Sequence, residues 1–187
     1  MNFLLISSFL PSVLNFRGKL LEAINQQGLE IHIIAPDLAL FKTEQQKLEA
    51  LGYYVHEIPM QRTGTNPVAD LKTLRATYNL MKKIKPDYVL SYTIKPVIYG
   101  TLAAWLAKVP HRFALITGLG YAFQNVEHGS KRSFFQKIVH GLYQQALSHS
   151  HKVFFQNPDD LKLFQDLTLV QPNLPTVVVN GSGVNVT

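Results

Sequence analysis

Short apolar runs rich in β-branched residues alternate with helix-period segments along the whole chain, and no other feature restricts the fold as much. Residues 3–7, "EIHIIAP", "YYVHEIP", "DYVLSY", "HRFALIT", "HKVFFQN" and "PTVVVN" read as strands. Between them lie helical patterns. Over residues 16–27, Phe16, Leu20, Leu21 and Ile24 share one face, with a stop at Gly28, and residues 8–15 read as the loop before them. "FKTEQQKLEALG" is a short helix. The segment from Pro67 places Val68, Leu71, Leu74, Tyr78, Met81 and Ile84 at three- and four-residue spacing, which predicts that this stripe faces the core. Further helices are expected over 97–107, 131–148 and 158–167. The strands are apolar almost throughout, the pattern of a parallel sheet covered on both faces. The expected fold is therefore a single α/β, doubly wound, mostly parallel Rossmann-like domain of about seven strands.

Composition agrees with a buried core: 47% of the 187 residues are hydrophobic and only 16% charged. There is no cysteine, which excludes disulfides and thiolate chemistry. A net charge of +6 favours an anionic neighbour such as a phosphate or an acidic lipid. The lysines and arginines are dispersed rather than striped, which argues against nucleic acid. The apolar N-terminus lacks the basic and small-residue regions of a signal peptide, and no run approaches the roughly 20 apolar residues of a membrane span. A cytoplasmic protein is expected, with peripheral contact at the inner face of the cell membrane.

In an open parallel sheet, ligands gather beyond the carboxyl ends of the strands. That rule selects the loops at 8–15, 60–66, 93–96, 117–130, 157–158 and 180–185. Lys95 stands in one of them, between a strand and the helix after it. There a cation and a helix N-terminus together suit a diphosphate or carboxylate; a solvated loop lysine is the plainer reading. Arg17 and Gly18, expected at the start of the first helix, form a second candidate anion site. "TGLGYAF" and "GSGVNV" carry paired glycines but no complete dinucleotide fingerprint, so nicotinamide binding is not expected. Lys131, Arg132 and Lys137 beside Phe134 and Phe135 suit either an acidic membrane surface or a helix with a charged outer face. His149 and His151 lack a third ligand nearby in sequence, and no metal site is expected.

The blocks "NFRGKLLEAINQQGLEIHIIAPD", "RTGTNPVADLKTL", "KPDYVLSYTIKPVIYGTLAA", "ALITGLGYAF", "FFQNPDD" and "VVVNGSGVN" occur in this order. Together they resemble the N-terminal half of bacterial family-four glycosyltransferases, retaining enzymes of GT-B architecture. The closest likeness is to members that extend lipid-linked glycans for capsule, O-antigen or glycoprotein oligosaccharides. The resemblance covers essentially the whole chain. It implies an acceptor-binding domain that works with a C-terminal nucleotide-sugar-binding domain lying outside this sequence. The implied donor is a nucleotide-sugar, usually a UDP-sugar, and the acceptor a polyprenyl-diphosphate-linked saccharide. No other cofactor and no metal are implied, and the chain alone is expected to be inactive.

Residue by residue, the resemblance places Thr93, Lys95, Thr117, Gly118, Gly120 and Tyr121 on the acceptor side, with Lys95 on its diphosphate. Asn15, Arg17 and Gly18 fall near the donor phosphates or the cleft, and Asn180, Gly181 and Gly183 at the hinge. Many relatives place a histidine where this chain reads "TGLGYAF", and no catalytic residue is assigned. Two alternatives stay open: a GT-B-like sugar-nucleotide epimerase, and a non-catalytic acceptor-binding subunit.

Overall fold

The computed structural model describes residues 1–62, 64, 66–118, 130–179 and 181–182, with side chains omitted over 130–135. Seven strands form one parallel sheet: β1 (Asn2–Ile6), β2 (Glu30–Ala35), β3 (Tyr54–Glu57), β4 (Tyr88–Tyr92), β5 (His111–Ile116), β6 (Lys152–Phe155) and β7 (Thr176–Val178). Their order is β3-β2-β1-β4-β5-β6-β7. The chain winds outward in one direction from β1 and in the other from β4, so the topological switch lies between these two strands. In register, Ile6 of β1 pairs with Ser91 of β4 and also with Ile34 of β2.

Right-handed crossovers divide the helices between the two faces. Helices α1 (Pro11–Gln26) and α2 (Lys42–Ala50) cover one face, where Val13, Leu21 and Leu48 pack on Phe3, Leu5, Ile31 and Ile33. The other face carries α3 (Pro67–Ile84), α4 (Thr101–Leu106), α5 (Ser130–Ser148) and α6 (Pro158–Asp166). There Met81, Ala103 and Ala104 meet Leu4, Ile6 and Ile34, and Tyr143, Leu147 and Phe164 meet Ala114, Val153 and Phe155. Alternate residues of β1 thus serve opposite cores, which is why the strands read as unbroken apolar runs.

Two sequence expectations need correction. The first helix begins at Pro11, not after Asn15, because proline at the first helical position is pre-set for the helix and gives up no needed donor. Arg17 and Gly18 therefore sit in its second turn, not at its start. On α3 the predicted apolar stripe holds only toward the C-terminus, where Met81 is buried. Before it Asp70, Thr73 and Thr77 turn inward, while Val68 and Leu71 in the first turns are 64% and 65% exposed. Polar anchoring sets that rotation: Thr73 Oγ1 donates to Pro59 O at 2.6 Å, and Asp70 receives two side chains from beyond β4.

Between β4 and α4 the backbone makes a π-helical turn, Pro96–Gly100. It packs so closely on the sheet that a Cβ at Gly100 would lie 2.8 Å from Ile6 Cδ1. Among the described residues no helix is long and apolar enough to cross a membrane.

Candidate functional site

The carboxyl ends of β1 and β4 open into a cleft of about 570 Å³, within the range of small-molecule sites. Its floor is a set of hydroxyls joined across the switch point. Tyr92 donates from its phenol to Ser7 Oγ at 2.7 Å, and Ser12 Oγ lies 2.8 Å from the same phenol. Ser8 Oγ and Thr93 Oγ1 are 2.9 Å apart, linking the lips of the two strands. Thr93 holds a left-handed backbone, φ +68°, which costs a β-branched residue on the order of 1–3 kcal/mol. The bond to Ser8 and the Val97 amide, which donates to Thr93 O at 3.0 Å, help to hold it there. Strain and a π-turn in succession are features that recur at binding sites.

Arg17 reaches this floor from α1. Its side chain is 5% exposed and its guanidinium lies 5.0 Å from the Tyr92 ring centroid. Nη1 donates to Phe16 O at 2.8 Å, while the buried Nε has no protein partner. Burial lowers the guanidinium pKa from its ordinary value, opposed by attraction to Tyr92. Burial raises the Tyr92 phenol in turn, against its hydrogen bonds to Ser12 and Ser7 and the charge of Arg17. Arginine stays charged through shifts of this kind, so a cation stands at the cleft floor.

Lys95 also lines the cleft but is not a solvated loop residue. It is 6% exposed, and its ammonium donates to Asp70 Oδ1 at 2.6 Å. Tyr99 donates to the other carboxylate oxygen at 2.9 Å. This buried triad ties the first turn of α3 to the π-turn and neutralises the lysine charge.

Of the residues singled out by sequence, Arg17, Thr93, Lys95, Thr117 and Gly118 meet in the cleft. Gly118 has φ +138°, open to glycine and rarely to other residues. Asn15 is exposed on α1, and neither it nor Gly18 lines the cleft. Gly181 borders an adjoining apolar trough between α1 and the sheet, where Phe16 and Leu20 face Leu90, Leu115 and Phe154. Gly120, Tyr121, Asn180 and Gly183 lie outside the described residues, as do the side chains of Lys131, Arg132, Phe134 and Phe135. Among the described residues no group of three potential ligands could hold a metal.

Sequence reasoning selected the loops bearing Ser8 and Arg62 without singling out either residue. It missed Tyr92 and Asp70, since a strand tyrosine and a first-turn aspartate have ordinary structural uses.

The glycosyl transferase 4-like family model matches residues 6–157, a span that runs from the last residue of β1 through β4 and contains the floor of the cleft. The chain belongs to this glycosyl transferase 4-like family. Its relatives include the N,N'-diacetylbacillosaminyl-diphospho-undecaprenol alpha-1,3-N-acetylgalactosaminyltransferase of Campylobacter jejuni. That protein is 28% identical over 93% of this chain and 44% of its own length. The chain thus spans less than half the length of the curated relatives it matches. Among solved structures, MurG of Acinetobacter baumannii superposes with a TM-score of 0.61 at 16% identity, over 100% of this chain and 46% of its own. The UDP-GlcNAc 2-epimerase of Neisseria meningitidis, solved with UDP-GlcNAc bound, gives 0.65 at 14% identity, over 97% and 47%. At such identities these two support the fold alone. The glycosyl transferase 4-like chain has the Rossmann-like sheet expected of one half of a GT-B architecture.

Proposed function

We propose that this chain is the acceptor-binding half of a retaining glycosyltransferase that moves a sugar from a nucleotide-sugar, a UDP-sugar by preference, onto a polyprenyl-diphosphate-linked saccharide. The donor is held by a second domain that closes over the cleft. The observation that carries the reading is the cleft itself: a buried arginine and a floor of hydroxyls at the β1–β4 switch point, inside the span that defines the family. The hydroxyls of Thr93 and Thr117 suit an uncharged saccharide, and an uncompensated guanidinium suits a phosphate. As the nucleoside diphosphate departs, negative charge builds on its oxygens, and fixed cations and N–H groups stabilise that charge. The Campylobacter relative, whose name describes sugar transfer to a diphospho-undecaprenol-linked acceptor, supports this choice over the epimerase alternative.

The test is an assay of the whole protein with UDP-sugars and a polyprenyl-diphosphate-linked saccharide. Extension of the acceptor with retained anomeric configuration is expected, and none from the 187-residue chain alone. Conversion of the nucleotide-sugar without an acceptor would replace the transferase reading by the epimerase one. Contact with an acidic membrane through Lys131, Arg132, Phe134 and Phe135 belongs to the same reading. Flotation with anionic vesicles should carry the wild-type protein, and a variant altered at these four positions should stay behind.

A further inference from the structure

Among the described residues three cations line the cleft, Arg17, Arg62 and Lys95, and the structure treats them differently. We propose that Arg62 and Arg17 together form its anion contact, a two-guanidinium cradle for a diphosphate, and that Asp70 withholds Lys95 from it. The inference rests on the reading of the cleft given above, which makes a diphosphate the anion on offer.

Each arginine carries its guanidinium carbon over an aromatic ring. Arg62, in the connection between β3 and α3, stands 4.4 Å from the Phe9 ring centroid, and Phe9 is itself met edge-on by Phe41 at 5.2 Å. Arg17, on α1, lies over Tyr92 with its guanidinium 5.0 Å from the ring centroid. A cation over a ring is held by the ring's face, while the N–H groups of a guanidinium are what match phosphate oxygens in pairs; on Arg17 one of them, on Nη1, is already given to Phe16 O. Neither arginine is salt-bridged among the described residues, and the Arg17 Nε is buried without a partner. Lys95 is the opposite case. To reach an anion it would have to leave Asp70, which is itself 7% exposed and would stay buried without its cation. The triad therefore fixes Lys95 as a support for the π-turn and the strained Thr93. Asp70 is a positioning residue that sets the charge of the cleft.

The diphosphate could come from the nucleotide-sugar or from the polyprenyl carrier, so the probes are inorganic pyrophosphate, UDP and farnesyl diphosphate, titrated calorimetrically into the protein. Arg62→Gln and Arg17→Gln are each expected to weaken pyrophosphate binding about tenfold or more, the scale of one charge-assisted hydrogen bond. The charge-neutral double variant Asp70→Asn/Lys95→Met should bind within about twofold of wild type, because the pair it removes carries no net charge toward the ligand. Arg62 is exposed, so its variant keeps the fold, and circular dichroism melts check the others. Tighter binding of UDP assigns the cradle to the donor and tighter binding of farnesyl diphosphate to the acceptor; both support it. Loss of binding in the double variant with retention in Arg62→Gln overturns the proposal. So does failure of the wild-type protein to bind all three probes. Failure of the transferase reading is a separate result, seen as absent sugar transfer with pyrophosphate binding intact.

Discussion

Gly100 rests on Ser91 so closely that a side chain at position 100 would place its Cβ 2.9 Å from the serine Oγ, and 2.8 Å from Ile6 Cδ1 on the neighbouring strand. The π-turn is thereby pressed onto both strands of the switch point, with Ser91 and Ile6 themselves fully buried. Gly100→Ala must displace core atoms and should destabilise the domain by about 1–3 kcal/mol. Urea unfolding followed by tryptophan fluorescence measures it. An unchanged midpoint would mean that the turn lifts away from the sheet at no cost.

The Lys95–Asp70 pair predicts a pronounced non-additivity. Removing either partner alone leaves a buried charge without its counter-ion, a loss of about 3–5 kcal/mol. Lys95→Met combined with Asp70→Asn removes both charges and should recover most of that loss, so that the double variant melts above either single one. Three thermal melts decide the matter. Additive losses would show that the pair is hydrated in solution.

Asn66 closes the N-terminus of α3, its side-chain oxygen accepting from the amides of Val68 at 3.1 Å and Ala69 at 3.2 Å. Asn66→Ala should cost about 1 kcal/mol, and Asn66→Asp much less, because aspartate caps equally well. The comparison separates loss of the cap from a general effect of changing the loop.

Histidines make stability depend on pH in a defined direction. His32, His56, His140, His149 and His151 all have pKa values below the ordinary 6.5, in each case chiefly through burial. The unfolded chain therefore takes up protons first as pH falls below about 6.5, and it gains on the folded state. Stability is complete above that pH and declines toward the lower folded-state values. His32 Nδ1 and His56 Nε2 are 3.0 Å apart, so their contacts weaken further when both are charged. Thermal melts between pH 7.5 and 5 should show a falling Tm, and His56→Gln should make the fall shallower.

Fold class was legible because the central strands of this sheet are buried on both sides: Leu4 and Leu5 point into different cores, yet both must be apolar. Element positions followed from the same periodicity. The start of α1 was misread because Pro11 interrupts an apolar run and proline has two opposite uses, breaking a helix or beginning one. The inward face of α3 was misread because Thr73, Thr77 and Asp70 satisfy their polar atoms inside the protein, which hydrophobic spacing cannot register. At the candidate site, the rule that ligands collect at strand ends selected loops whose residues line the cleft. It could not distinguish a free cation from a neutralised one. Lys95 and Asp70 are 25 positions apart, and only the fold makes them neighbours.

The hydroxyl link between Ser8 and Thr93 joins positions 85 residues apart in the chain. Strand β1 can pair with β2 soon after both emerge from the ribosome, but the cleft has no second wall until β4 docks on the other side of β1. Docking closes the longest loop between paired strands, and ordering such distant contacts is slow compared with forming local helices. During synthesis, a nascent chain ending near residue 80 would already carry Arg17 and Arg62 yet have no pocket in which to use them. Ligand affinity should therefore arise in one late step, when Tyr92 slides beneath Arg17, and not grow in proportion to the length of chain made.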